Sequence, residues 1–310
     1  MTKFAFVFPG QGSQSRGMME GYAEFSVVRD TFSEASDILN QDLWRLVLEG
    51  DDTELNATVN TQPVMLTAGL AVYRAWQSQN GAQPSVMAGH SLGEYTALVA
   101  SGALSFADAL PLVRYRAQCM QQAVPEGVGG IAAILGLEDE VVRAVCQEVA
   151  HGEVLEAVNY NSPGQVVIAG NRTAVERGMA LAKVKGAKRA IMLPMSVPSH
   201  CSLLKGAAEQ LSVYLDEVAL KPPLIPVLQN ADVAAYSDAA LIKNALVRQL
   251  YSPVRWVETV LAFGKLDITH NVECAPGRIL AGLNKRIDTQ QVSLAMNDAA
   301  ALTQALLIFA

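Results

Sequence analysis

Two spacings of apolar residues run through the chain. Phe4-Ala5-Phe6-Val7-Phe8 is apolar at every position and stops at Pro9-Gly10, the mark of a short strand buried on both faces, as parallel strands are. Ser85-Val86-Met87-Ala88 repeats that pattern, and further strands are expected near Ile225–Gln229 and Ile268–Cys274. Between them the spacing widens to that of amphipathic helices. Residues 22–48 form one such stretch, and Thr61–Gln77 another, with Val64, Ala68, Ala71, Val72 and Ala75 near one face. Ser105, with Asp108 three residues on, opens a helix that runs to about Ala123 before Pro125. Helices over 201–219 and 238–250 flank a break at Pro222-Pro223. Strands alternating with helices predict an α/β fold with a mainly parallel sheet.

The texture changes between Pro125-Glu126-Gly127 and Pro194. Here the pattern reads strand 131–136, helix 138–150, strand 154–159, strand 165–169, helix 172–184 and strand 188–193. Ser162-Pro163-Gly164 puts Pro and Gly where a type II turn between paired strands needs them. The order βαββαβ is ferredoxin-like. A small subdomain over 127–194 is therefore expected to be inserted into a larger one formed by 1–126 and 195–310.

Composition narrows the class. A chain of 310 residues that is 51% hydrophobic and 17% charged can build a sizeable core and is not disordered. Its net charge of −7 argues against general affinity for nucleic acid or anionic lipid. Cys119, Cys146, Cys201 and Cys274 lie far apart, so neither a disulfide framework nor a metal site is expected, and a reducing interior suits them. The run Phe4–Phe8 is too short for a signal peptide, and no apolar stretch is long enough to cross a bilayer. A cytoplasmic protein with no membrane partner is the expectation.

The strongest chemical signal is Gly89-His90-Ser91-Leu92-Gly93. A G-x-S-x-G placed after a strand and before a helix makes a tight turn that exposes the serine hydroxyl, with the following helix aiming its first amides at the site. The plain alternative, a glycine-rich turn with an incidental serine, lacks a reason for that strand–turn–helix setting. Ser91 is the candidate nucleophile. A serine needs a base, and four histidines compete. His90 precedes the serine and is expected to point elsewhere as a structural residue; His151 sits at a helix end, where a surface histidine is ordinary. His200, in Val197-Pro198-Ser199-His200, lies in a loop at the subdomain boundary. His270 lies in an apolar strand pattern that suits a core histidine, although its late position matches the chain order of hydrolases. Local chemistry favours His200 without excluding His270. Pro9-Gly10-Gln11-Gly12 lacks the spacing of a dinucleotide loop, but as a glycine-rich loop beside the elbow it is placed to supply an oxyanion amide. Arg114 and Arg116 both border the apolar face of their helix, and periodicity does not choose between them.

Taken together, Gly10-Gln11-Gly12-Ser13, Gly89-His90-Ser91-Leu92-Gly93-Glu94-Tyr95, Asn159 to Gly170, Val197-Pro198-Ser199-His200 and Gln249-Leu250-Tyr251 resemble malonyl-CoA:acyl carrier protein transacylases, in family order over nearly the whole chain. The resemblance implies an α/β-hydrolase-like large subdomain with a ferredoxin-like small one. It implies Ser91 as nucleophile, His200 as base, and Gln249 orienting His200 through a carbonyl oxygen in place of a triad carboxylate. It further implies an oxyanion hole from Gln11 and the Leu92 amide, Arg116 as clamp for the malonyl carboxylate, and Met120 and Asn159 in the substrate pocket. The activity implied is ping-pong transfer of malonyl from malonyl-CoA to the phosphopantetheine thiol of acyl carrier protein, supplying fatty acid synthesis, with no bound cofactor and a monomeric enzyme.

Rival readings are a malonyl transferase of malonate decarboxylation or polyketide assembly, a serine esterase or thioesterase, and a non-catalytic binding protein. Carrier proteins of this pathway are acidic, so docking needs a local positive face. Lys183, Lys185, Lys188 and Arg189 form one candidate, and Lys285 with Arg286 a smaller one, against the bland reading of a solvated surface.

Overall fold

The computed structural model describes residues 2–125, 127–194 and 197–310. Glu126 and Met195, at which the large subdomain was expected to break off and resume, lie outside them, as does Ser196.

In chain order the strands are β1 (Phe4–Phe8), β2 (Val86–Gly89), β3 (Gly129–Leu135), β4 (Leu155–Ser162), β5 (Gln165–Asn171), β6 (Arg189–Met192), β7 (Val227–Leu228), β8 (His270–Glu273) and β9 (Val292–Ala295). The helices are α1 (Ser26–Leu39), α2 (Leu43–Glu49), α3 (Asp52–Asn56), α4 (Thr58–Ser78), α5 (Gly93–Ala100), α6 (Phe106–Ala123) and α7 (Asp139–Val149). They continue with α8 (Arg172–Val184), α9 (Lys205–Asp216), α10 (Ala239–Gln249), α11 (Trp256–Lys265), α12 (Ile279–Ile287) and α13 (Ala299–Phe309). None of the described helices is long and apolar enough to cross a membrane.

Five strands form a parallel sheet in the order β7-β2-β1-β8-β9. β1 sits at its centre, and all five of its residues are buried, because helices cover both faces: Phe4, Phe6 and Phe8 pack toward α4, while Ala5 and Val7 face Trp256 and Phe263 of α11. Sequence order and strand direction put the C-terminal ends of β1, β2 and β8 along one edge, where the loops carrying chemistry emerge.

The second sheet is antiparallel, with strand order β4-β5-β3-β6 and helices α7 and α8 packed against one face through Val142, Val145, Val175 and Ala182. This is the ferredoxin-like arrangement. Pro163-Gly164 closes the β4–β5 turn with Ser162 opposite Gln165 and Gly164 at φ +70°. The second sheet is joined by main chain to the segment between α10 and α11: Tyr160 N–H donates to the Val254 carbonyl at 3.0 Å and Val254 N–H donates to the Val158 carbonyl at 2.9 Å.

Several expected elements differ in detail. The single helix expected over 22–48 is divided into α1 and α2, because Asn40 adopts φ +48° as a left-handed cap and Asp42 then caps α2 through the Arg45 N–H. The helix expected over 201–219 begins with a 3-10 turn at Ser202–Leu204 and ends at Asp216. The strand expected near Ile225–Gln229 pairs over two residues only.

Candidate functional site

The site is built on the turn from β2 to α5. That turn is so close that a methyl group on Gly89 would lie 1.8 Å from the Gly93 carbonyl carbon, and one on Gly93 would lie 2.0 Å from the Phe8 carbonyl oxygen. Only glycine fits at either place. The result is that Ser91 itself is held at φ +52°. Its Oγ reaches 2.7 Å from His200 Nε2.

His200 arrives from the other side, on the segment that returns from the small subdomain. Its N–H donates to the Leu250 carbonyl at 2.9 Å, and its ring Nδ1 lies 2.7 Å from the Gln249 main-chain oxygen. A carbonyl oxygen can only accept, so Nδ1 carries the proton and Nε2 is free to take one from the serine. Burial, followed by the positive charge of Arg116, pushes the His200 pKa down to about 3, so the ring is neutral at physiological pH. The carbonyl that orients His200 is thus a main-chain atom. The Gln249 side chain has other partners: its Nε2 donates to the Ser91 carbonyl at 3.0 Å, and its Oε1 accepts from Arg116 at 2.9 Å.

Arg116 is 1% exposed on α6. Its Nη1 donates to Gln62 Oε1 at 2.8 Å, and its Nη2 donates to Gln249 Oε1 and to Ser91 Oγ, the latter at 3.3 Å. Its Nε, also buried, has no hydrogen-bond acceptor among the described residues. All its partners are neutral. Glu94, a buried carboxyl on α5, has its pKa pushed up to about 8 by burial, which leaves that group mostly protonated and uncharged at neutral pH. A buried guanidinium beside the Ser91 hydroxyl with its charge uncompensated is costly, and a carboxylate bound in the cavity would relieve it.

The cavity beside them, about 140 Å³, is lined by Gln11, Ser91, Leu92, Arg116, Met120 and Asn159 among others. Gly10 lets its loop lie against the elbow: a methyl group there would meet the His90 carbonyl oxygen at 2.5 Å. Among the described residues neither the Gln11 nor the Leu92 main-chain N–H has an acceptor, which leaves both for an oxygen in the cavity. Asn159, 6% exposed, sits at an irregularity in β4 and contributes from the small subdomain.

Other residues fall outside this constellation. His270 opens β8, at the opposite edge of the sheet from Ser91, and its ring packs on Phe309. His151 is exposed just after α7 at φ +50°. Arg114 is directed away, to the Leu39 carbonyl and Gln41. Lys183, Lys185, Lys188 and Arg189 are exposed at the end of α8 and start of β6, outside the cavity, with Lys185 Nζ 3.4 Å from Glu148. Lys285 and Arg286 end α12, and Arg286 donates to Gln165 Oε1 at 2.8 Å.

His90, expected to point elsewhere as a structural residue, borders the cavity, while its ring contacts are of a structural kind. Its Nε2 lies 2.8 Å from Asn161 Oδ1 and its ring 5.5 Å from Trp256. Burial lowers its pKa, so it too is neutral. Sequence reasoning missed Gln62, which holds Arg116 with Oε1 and lies 3.5 Å from Met120 Sδ with Nε2. No local signal marked it, since Asn60 and Thr61 precede it in α4 and polar residues recur along that helix. Among the described residues no group of three or more His, Cys, Asp or Glu side chains gathers as a metal site.

The acyl transferase domain family matches residues 5–295. The malonyl CoA-acyl carrier protein transacylases of Salmonella typhimurium and Escherichia coli K12 are 53% and 51% identical to the chain, each over 99% of both proteins. An acyl-carrier-protein S-malonyltransferase from Burkholderia pseudomallei superposes with a TM-score of 0.97 at 59% identity, covering 99% of this chain and all of that one. A malonyl-transacylase solved in complex with a type II polyketide acyl carrier protein superposes at 0.98 with 50% identity over 99% of this chain and all of its own.

Proposed function

The chain belongs to the malonyl CoA-acyl carrier protein transacylase family of acyl transferases, and from that premise we propose how its residues divide the reaction. It is an acyltransferase that moves malonyl between coenzyme A and acyl carrier protein. Ser91 is the atom on which the acyl group rests. His200 Nε2 removes the hydroxyl proton as Oγ attacks the thioester carbon. The tetrahedral oxygen is received by the Gln11 and Leu92 N–H groups. The C–S bond then breaks, and the proton on His200 goes to the departing thiolate. A phosphopantetheine thiol reverses these steps, giving its proton to His200 as it takes malonyl from Ser91.

One observation carries this reading above an esterase or a binding protein. The buried Arg116, held by two glutamines beside Ser91 and paired with no carboxylate, requires an acyl group that brings its own negative charge. Met120 and Asn159 bound the pocket around that acyl group. The exposed cluster Lys183, Lys185, Lys188 and Arg189 is the proposed landing surface for an acidic carrier, with Lys285 and Arg286 as a second patch. A small subdomain over 127–194, a monomeric enzyme, the absence of a bound cofactor and a cytoplasmic location complete the proposal; the four cysteines are all free and buried, which suits a reducing compartment.

Mass spectrometry of the protein mixed with malonyl-CoA tests it. We expect a malonyl adduct on Ser91 that carrier thiol discharges as malonyl-carrier. Rapid release of free malonate without carrier would favour an esterase, and no adduct would favour a binding protein.

A further inference from the structure

Ser91 occupies a left-handed backbone conformation, which residues with a side chain adopt only when their surroundings hold them there. The glycines on either side make room for the turn, but room is not restraint. The restraint comes from Asn230, a 1%-exposed residue in the loop after β7 that no sequence pattern singled out. Its Oδ1 accepts the Ser91 N–H at 2.7 Å, and its Nδ2 donates to the Gly89 carbonyl at 2.6 Å. One carboxamide therefore ties both ends of the turn that carries His90 between them. Asn230 is fixed in its turn by Glu94 on α5, whose Oε2 accepts the Asn230 N–H at 2.7 Å. The Ser91 carbonyl is held separately, by Gln249 Nε2 at 3.0 Å. The nucleophile's backbone is gripped by side chains on both its polar groups.

We propose that Asn230, held by Glu94, is a positioning residue for the acyl transfer: it keeps Ser91 in the left-handed turn that sets Oγ against His200 Nε2. The inference rests on Ser91 being the nucleophile of the reaction proposed above. Asn230 touches the serine only through the main chain, so its removal misplaces the hydroxyl without taking any contact from CoA, carrier or malonate. A rise in KM is not expected. The acylation step should slow, because a displacement on the order of 1 Å at a reacting atom costs roughly 10²-fold.

The second grip on the loop lies outside the site. Arg248, the residue before Gln249, makes a two-pronged ion pair with Asp232, two residues after Asn230. The segment that holds the serine amide is thus strapped to the helix end that holds His200.

The test compares Asn230→Ala with wild type in three measurements: kcat and KM for malonyl transfer, thermal stability, and the rate at which a small fluorophosphonate labels Ser91. Labelling forms a P–O bond at Oγ, expels fluoride and passes the hydroxyl proton to His200, so it reads the serine–histidine geometry without needing the acyl pocket. We expect kcat and the labelling rate to fall together, on the order of 10²-fold, with both KM values within about twofold. Labelling that stays within threefold of wild type overturns the proposal, whatever happens to stability. Should Asn230→Ala fail to fold, Glu94→Leu and Glu94→Gln carry the same question. Glu94 is already protonated at neutral pH, so Gln, which keeps an acceptor for the Asn230 N–H, should rescue labelling to within about threefold of wild type, whereas Leu should not. Equal rates for the two Glu94 variants refute the proposal. Absence of any transferase activity in wild type that labels normally would refute the malonyl assignment instead, so the two failures are distinguishable.

Discussion

Replacing Arg116 isolates the charge that the substrate must supply. In the structure the guanidinium has two glutamine oxygens and the serine hydroxyl as acceptors, and nothing anionic. A malonyl carboxylate taken up as a two-pronged partner adds two charge-assisted hydrogen bonds, each worth about 1.5–3 kcal/mol. Their loss in Arg116→Ala is therefore about 3–6 kcal/mol of transition-state stabilisation, or roughly two to four factors of ten in kcat/KM. Part of the damage is common to any acyl group, because the Gln62 and Gln249 oxygens lose a buried donor, at roughly 1–3 kcal/mol each. The informative quantity is accordingly the ratio of kcat/KM for malonyl-CoA to that for acetyl-CoA, with holo carrier protein as acceptor. Acetyl has no carboxylate and suffers only the common loss. The ratio should fall by at least about 10²-fold, and Arg116→Lys, which keeps charge but not the planar fork, should lie between. A ratio that stays within threefold of wild type would refute the claim that Arg116 selects the acyl group.

Other expectations follow from the same geometry. With His200 held at a pKa of about 3, the acid limb of kcat/KM should lie well below pH 6.5, so a histidine-like loss of rate between pH 7 and 6 in a pH profile would contradict the buried, neutral ring. In stability the sign is fixed: between about pH 3 and 6.5 the unfolded histidine binds a proton that the folded one does not. This group's contribution is therefore lost as pH falls through that window, by at most about 1.4 kcal/mol per unit, which denaturant melts of wild type against His200→Gln would read. Gln249→Asp should not build a triad, because the atom facing His200 Nδ1 is main chain; hydrolysis of the malonyl-enzyme should not rise, while malonyl transfer should drop as the new carboxylate pairs with Arg116. Gly93→Ala, whose methyl would overlap the Phe8 carbonyl, should destabilise by about 3 kcal/mol in urea melts, and a cost under about 1 kcal/mol would mean the elbow relaxes. Charge reversal at Lys185 and Lys188 should raise the KM for carrier protein several-fold and leave that for malonyl-CoA nearly unchanged; equal effects remove the docking surface.

The parallel sheet was legible because fully buried strands leave continuous apolar runs, and β1 and β2 do so. The small subdomain was legible because its turn chemistry and two spacings agree. Beyond Cys274 no helix or strand was anticipated, yet α12, β9 and α13 lie there, and α11, between the helix expected over 238–250 and the strand near Ile268–Cys274, was not anticipated either. Trp256, Thr259, Val260 and Phe263 do form a helical stripe, but the preceding proline and serine masked where it starts. Ser91 was legible because a tight turn demands glycines at fixed offsets. Gln62, Asn161 and Asn230 were not, because a side chain that acts by hydrogen-bonding across the fold leaves no local spacing behind. Gln249 shows the intermediate case. Its position was apparent, but that its main chain and its side chain serve different neighbours is a matter of geometry alone.

The main-chain seam between β4 and Val254 runs beside the catalytic cleft, so the two walls of that cleft are stitched together rather than hinged. On the proposal that Ser91 carries the acyl group, one hydroxyl serves both thiols in turn. CoA and carrier must then compete for the same loaded serine, and whichever free thiol is more abundant draws the malonyl its way. Built so, the enzyme behaves as an equilibrator between two pools, and the direction of flow is set by whatever drains the carrier side.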